Sequence, residues 1–117
     1  MSIFQCAKRV GSRPGKTALH VAAEHGHTQC AQELLRASSA DVNATDTEGN
    51  TALHLSAYHG HLTIAQLLIR NNAAMEIPNN LGYNPLHCAV EGNSLAIVRL
   101  MIEHGVEINK RIGIVVL

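Results

Sequence analysis

Large rings are nearly absent from this chain: its 117 residues include two tyrosines, one phenylalanine and no tryptophan. An interior without rings must be built from thin layers of Leu, Ile, Val and Ala, which favours packed helices over a β-sandwich. No apolar run approaches the roughly 18 residues of a membrane span. The first ten residues lack the apolar stretch and small-residue cleavage site of a signal peptide, so an intracellular protein is expected, cytoplasmic or nuclear, with no membrane partner. Cys6, Cys30 and Cys88 are odd in number and widely spaced, with no C-x-x-C pair. Neither a disulfide framework nor a zinc site is indicated, and a reducing compartment follows.

Neither sign of charge prevails, since nine Lys and Arg balance nine Asp and Glu. The distribution is uneven. Lys8, Arg9, Arg13, Lys16, Lys110 and Arg111 sit at the two ends, while residues 17–109 hold all nine acids against Arg36, Arg70 and Arg99. The body is therefore strongly acidic, which argues against nucleic acid as a partner. What the chain does have is apolar content, 46% against 15% charged, enough to bury a core in one compact unit.

The chain also repeats itself. Gly15-Lys16-Thr17-Ala18-Leu19-His20, Gly49-Asn50-Thr51-Ala52-Leu53-His54 and Gly82-Tyr83-Asn84-Pro85-Leu86-His87 align. Each is followed by a second glycine (Gly26, Gly60, Gly92) and by Leu34-Leu35, Leu67-Leu68 or Leu100-Met101. The period is 34 residues and then 33, the extra residue falling at Ser38 or Ser39, where a surface loop absorbs it cheaply. Thr17, Thr51 and Asn84 can each accept a backbone amide at a helix start, and Pro85 suits the first helical position. Left-handed glycines at 26, 60 and 92 would end short helices near 18–25, 52–59 and 85–91. In the helices that follow, Ile64, Leu67 and Leu68, then Ile97, Leu100 and Met101, recur at i, i+3 and i+4 and make one apolar stripe each. Such a pair hides too little apolar surface alone, so the pairs must stack.

The period and residues closely resemble the ankyrin repeat family, whose signature is G-x-T-P-L-H-x-A-A followed by G-H, L-L and G-A-D-V-N. Asp41-Val42-Asn43 matches the closing motif, Glu107-Ile108-Asn109 nearly so, and Ala74-Met75-Glu76 is a degraded copy. The expected fold is an all-α ankyrin repeat solenoid with short hairpin-like turns and three repeats, at 13–46, 47–79 and 80–112. Residues 1–12 read as an incomplete edge and 113–117 as an apolar tail. Ile114-Val115-Val116-Leu117 is uncharged and β-prone, so self-association through an uncapped end is expected.

Several motifs invite sharper readings. Gly11 to Thr17 suggests a phosphate loop, but only three residues separate its glycines and no strand precedes it. Eight histidines, including His25-Gly26-His27 and His59-Gly60-His61, suggest a metal site, yet no Asp, Glu or Cys at ligand spacing completes either pair. The resemblance implies instead that His20, His54 and His87 tie a helix to the adjoining turn and that His27 and His61 belong to the ordinary G-H element; His25, His59 and His104 have no such role. Cys30 aligns with Ile64 and Ile97, and Cys88 with Val21 and Leu55, so both are expected to be inert core thiols. No nucleophile–base pair or facing carboxylates assemble, so no enzyme, cofactor or metal is expected. Asn43-Ala44-Thr45 matches a glycosylation sequon in a cytosolic-looking chain, and Leu35 with Asp41-Val42-Asn43 resembles a pattern that an asparaginyl hydroxylase modifies in other ankyrin proteins.

The family resemblance implies a partner protein bound on a concave face. Carried over by position, the contact residues are Arg13, Lys16, Glu24 and His25 in the first repeat. The second offers Thr45, Thr47, Glu48, Asn50, Tyr58 and His59, and the third Asn80, Leu81, Tyr83, Val90 and Glu91. Both tyrosines fall in this set, and with Leu81 and Val90 they are expected to form an apolar patch between repeats two and three. The alternative is an architectural spacer that orients a domain elsewhere in a larger protein.

Overall fold

The computed structural model describes residues 15–37 and 40–106. Arg13, the edge at 1–12, the insertion at Ser38 and Ser39, and the tail at 113–117 lie outside them. Among the described residues six helices run in three pairs: α1 (Ala18–His25) with α2 (Thr28–Arg36), α3 (Ala52–His59) with α4 (Leu62–Arg70), and α5 (Pro85–Glu91) with α6 (Leu95–Glu103). The connections within the first two pairs are two residues long, so the second helix folds straight back on the first. The inner helices α1, α3 and α5 stack side by side; α2, α4 and α6 lie outside them and touch one another less.

Each inner helix starts by the same device. Thr17, Thr51 and Asn84 hold extended backbone at the N-cap, and their side-chain oxygens accept the amide of His20, His54 and His87. The imidazole closes the box, its Nδ1 accepting the N-cap amide at 3.1, 3.0 and 3.1 Å. Pro85 takes the first helical position of α5, where no amide is needed.

The ends differ. Gly26 and Gly60 close α1 and α3 with φ of 75° and 76°. Gly92 does not follow them: its φ is −84°, and Asn93 at 56° takes the left-handed turn instead. In register Gly92 stands with His25 and His59, one residue before the helix-ending glycines. Its need for glycine is one of space, because a Cβ there would run into the carbonyl of Tyr58. The backbones of α3 and α5 touch at that point.

The core runs unbroken through the stack. Leu19, Leu53 and Leu86 fill it from the inner helices, and Ile64, Leu68, Ile97 and Met101 from the outer ones. Each such side chain contributes about 1.5–3 kcal/mol by leaving water. Leu67 and Leu100, at the i+3 positions of the stripes, are half-buried, and Leu100 packs against the core. Cys88 is a free, buried thiol. Cys30, also buried, is half of a disulfide whose other half lies outside the described residues, which corrects both the expectation of an inert thiol there and the reading that the cysteines make no disulfide.

Candidate functional site

Between pairs the chain makes a finger, and the two described fingers are built alike. The amide of Asp46 donates to Asn50 O at 3.0 Å, and that of Asn79 to Tyr83 O at 2.8 Å. Asp46 Oδ1 accepts the amides of Glu48 and Asn50 at 2.9 Å each; Asn79 Oδ1 accepts those of Leu81 and Tyr83 at 2.9 and 3.0 Å. A short side-chain acceptor thus reinforces at each tip a backbone turn in which the Gly49 amide donates to Asp46 O at 3.0 Å and the Gly82 amide to Asn79 O at 2.9 Å. Gly49 and Gly82 complete the loops at φ of 80° and 82°. Neither Asp46 nor Asn79 was singled out by sequence, although an Asx residue three places before each finger glycine marks both.

Each finger is tied to the pair before it. His20 and His54 use Nδ1 as an acceptor, so the proton resides on Nε2, which donates to Asn50 O at 2.8 Å and to Tyr83 O at 2.9 Å. The helix-capping histidine is therefore also the joint to the next repeat. Burial holds His54 below its ordinary value of 6.5, against the opposing effect of its bond to Tyr83 O, and keeps the ring neutral. Around the first joint the Lys16 ammonium lies 3.3 Å from both Glu24 Oε1 and Asp46 Oδ2. Burial alone would raise the Asp46 carboxyl, but the amides of Asn50 and Glu48 and the Lys16 charge outweigh it and hold the group below 3.8. His61 Nε2 meets Glu24 O at 3.0 Å, and Asn43 Oδ1 accepts the Ala74 amide at 2.9 Å, locking the closing loops together. The second joint uses amides. Asn79 Nδ2 donates to Asn50 Oδ1, Asn80 Nδ2 to Thr47 O and the Asn80 amide to Glu48 O, all at 2.9 Å.

These bonds sort the expected contact residues. Lys16, Glu24 and Asn50 are part-buried and engaged in joints. Tyr83 is half-buried against the core with its ring 6.1 Å from that of His87, so it is not the exposed aromatic that was expected. Thr47, Glu48, Asn80 and Leu81 are exposed at the finger tips, with the backbone or amide of each finger fixed to the other. Thr45 is exposed just before them. Tyr58, 48% exposed, stands at the far end of α3, where its ring meets that of His59 edge-on at 5.1 Å; His25 is exposed at the matching end of α1. Val90 and Glu91 are exposed in the last turn of α5. Leu81 and Val90 are therefore separated by the length of α5, about 10 Å, and the tyrosines mark opposite ends of the inner helices. The expected single patch is two: finger tips at one end, Tyr58 with its neighbours at the other.

The same surfaces hold little chemistry. Burial, helped by Glu91, pushes the Cys88 thiol up to about 12, which leaves it protonated and unreactive at neutral pH. Among the described residues no three His, Cys, Asp or Glu converge to hold a metal ion, and no helix is long and apolar enough to cross a membrane.

A family model described as ankyrin repeats (3 copies) matches residues 3–79 and 19–112. The chain belongs to the ankyrin repeat family. The three ankyrin copies agree with the three periods in the sequence, and ankyrin repeats are protein-interaction modules. The chain is 36% identical over 101 residues, 83% of its length, to the B-cell lymphoma 3 protein homolog of Mus musculus. It is 32% identical over 104 residues, 89% of its length, to the NF-kappa-B inhibitor cactus of Drosophila yakuba, and 29% over 104 residues, again 89%, to that of Drosophila melanogaster. It covers 22%, 20% and 20% of these relatives in turn, so it spans about a fifth of their length.

Proposed function

We propose that this ankyrin stack recognises a partner protein through its finger tips and the exposed ends of its inner helices, without catalysis, inside the cell. The observation that supports it most is the cross-bonding of the two fingers through Asn79 and Asn80, which leaves Glu48 and Leu81 outside; Leu81 is 56% exposed. An apolar side chain exposed on a rigid tip binds with little backbone ordering entropy left to lose. Tyr58 provides a second anchor at the other end of the concave face, bordered by His59 and Glu91. Lys16, Glu24, Asn50 and Tyr83 support this surface from behind.

Two relatives carry the name NF-kappa-B inhibitor, so an NF-kappa-B protein is the first partner to test. Affinity capture with this chain, followed by titration calorimetry, decides between recognition and a spacer role. Recognition predicts saturable binding that Leu81→Ala and Tyr58→Ala each weaken by about 1–3 kcal/mol with the far-UV spectrum unchanged. Binding indifferent to both substitutions would remove this surface, and a chain that captures nothing specific from any cell extract would be a spacer.

A further inference from the structure

The charges of the stack are divided between its two sides. Among the described residues the three arginines, Arg36, Arg70 and Arg99, all stand exposed on the outer helices α2, α4 and α6. The described parts of the inner helices and fingers carry Glu24, Asp46, Glu48 and Glu91 against Lys16, whose ammonium is already held between the carboxylates of Glu24 and Asp46. Register sharpens the division. Glu24, Tyr58 and Glu91 hold the same place on α1, α3 and α5, 34 and then 33 positions apart. The ring in this row therefore has a carboxylate on the neighbouring helix at each side, with axes roughly 8–10 Å apart. Both neighbours are close: the Tyr58 carbonyl faces Gly92, next to Glu91, and burial pushes the His59 imidazole below 6.5 while the Glu24 charge works against it. Glu91 is exposed and makes no ion pair with a described residue.

We infer that Tyr58 receives an arginine side chain of the partner protein, its guanidinium laid on the ring and drawn in by Glu91 and Glu24. The inference rests on the reading that the inner face binds a protein. A planar guanidinium stacks on an aromatic face, forks to a carboxylate and sheds its water more readily than an ammonium does. The cations of the face itself do not compete for the place, because Lys16 is engaged and His59, whose ring meets that of Tyr58 edge-on, is mostly neutral at pH 7. The partner segment is therefore basic where it crosses α3 and α5. Glu48 beside Leu81 repeats the same combination of a carboxylate and an apolar contact at the finger tips.

Fluorescence anisotropy with labelled hexa-arginine, hexa-lysine and hexa-glutamate peptides tests it at low salt. Saturable binding is expected for hexa-arginine, weaker binding for hexa-lysine and none for hexa-glutamate. Tyr58→Leu, which keeps apolar area but removes the ring, and Glu91→Gln should each weaken hexa-arginine binding by roughly threefold to tenfold, and Tyr58→Phe should preserve it. Glu103→Gln, which removes the same charge from the exposed end of α6, should leave it in place. These side chains are at the surface, so the far-UV spectrum is expected to persist. Equal losses from Glu91→Gln and Glu103→Gln, or indifference to Tyr58→Leu, would reduce the attraction to diffuse charge and overturn the inference. A captured protein partner that is weakened by Leu81→Ala but indifferent to both Tyr58→Leu and Glu91→Gln would uphold the recognition face and still remove the arginine site.

Discussion

Between the first and second repeats the finger carboxylate of Asp46 meets the Lys16 ammonium at 3.3 Å; between the second and third the same two positions hold Asn79 and Asn50, amide to amide at 2.9 Å. Around this exchange three features are kept: the capping histidine, its Nε2 bond to the next finger, and the side-chain acceptor that shapes the tip. The joint is therefore a fixed backbone arrangement into which an ion pair or an amide pair can be fitted. The histidine sets the geometry, and the variable pair sets how the joint responds to salt and acid.

The largest expected effect is steric and lies within the second joint, where two glycines face their neighbours at very different distances. Gly92→Ala places a Cβ in the Tyr58 carbonyl and should cost about 2–3 kcal/mol in urea unfolding. Gly60→Ala, with only Ser94 Oγ at 3.3 Å but a φ of 76°, should cost nearer 1 kcal/mol. Equal costs would mean that α3 and α5 separate easily.

Next comes the shared element. His54→Ala strips the N-cap amide and Tyr83 O of a partner and should lose about 2 kcal/mol, with His20→Ala close behind. Acid does the same reversibly. His54 is held below 6.5 in the fold, so the unfolded chain binds protons more readily, and stability should decline as pH falls from 6.5 toward the lower folded value. Urea midpoints at pH 7.5 and 5.5 measure this, and a midpoint that rises on acidification would contradict the neutral joint.

Two smaller tests concern the variable positions. The Asn84 Nδ2 group is buried without a partner, whereas Thr17 and Thr51 cap with a hydroxyl that leaves no such group. Asn84→Thr should therefore gain about 1 kcal/mol. Lys16→Asn with Asp46→Asn converts the first joint to the chemistry of the second. Each single change should cost about 0.5–1 kcal/mol and the pair should recover most of it, as a double-mutant cycle would show. The ionic joint should also weaken as pH falls below 3.8 through the lowered carboxyl value of Asp46, and the converted one should not.

Much of the stack was legible because the period is enforced by local rules. The helix starts at Thr17, Thr51 and Asn84 follow from a side-chain acceptor three residues before a histidine, and the bounds of α1, α3 and α5 agree with those read from sequence. Gly92 was misread because the shared glycine type hid a one-residue offset: its constraint comes from Tyr58, a neighbour 34 positions away. The surface was less legible for the same reason. Whether Lys16 faces solvent depends on Asp46 across a joint, and whether Tyr83 does depends on its packing against the core beside His87, and no periodic pattern carries either.

The central claim is that the fingers are rigid members of the stack, held by the histidine joints. Native-state hydrogen exchange at the Asn80 amide, which donates to Glu48 O across the second joint, tests it most directly. The expected result is protection comparable to that of α3, lost together with it in His54→Ala. An Asn80 amide that exchanges at the free rate while α3 stays protected would show fingers loose on a stable stack, and no preorganised surface for a partner.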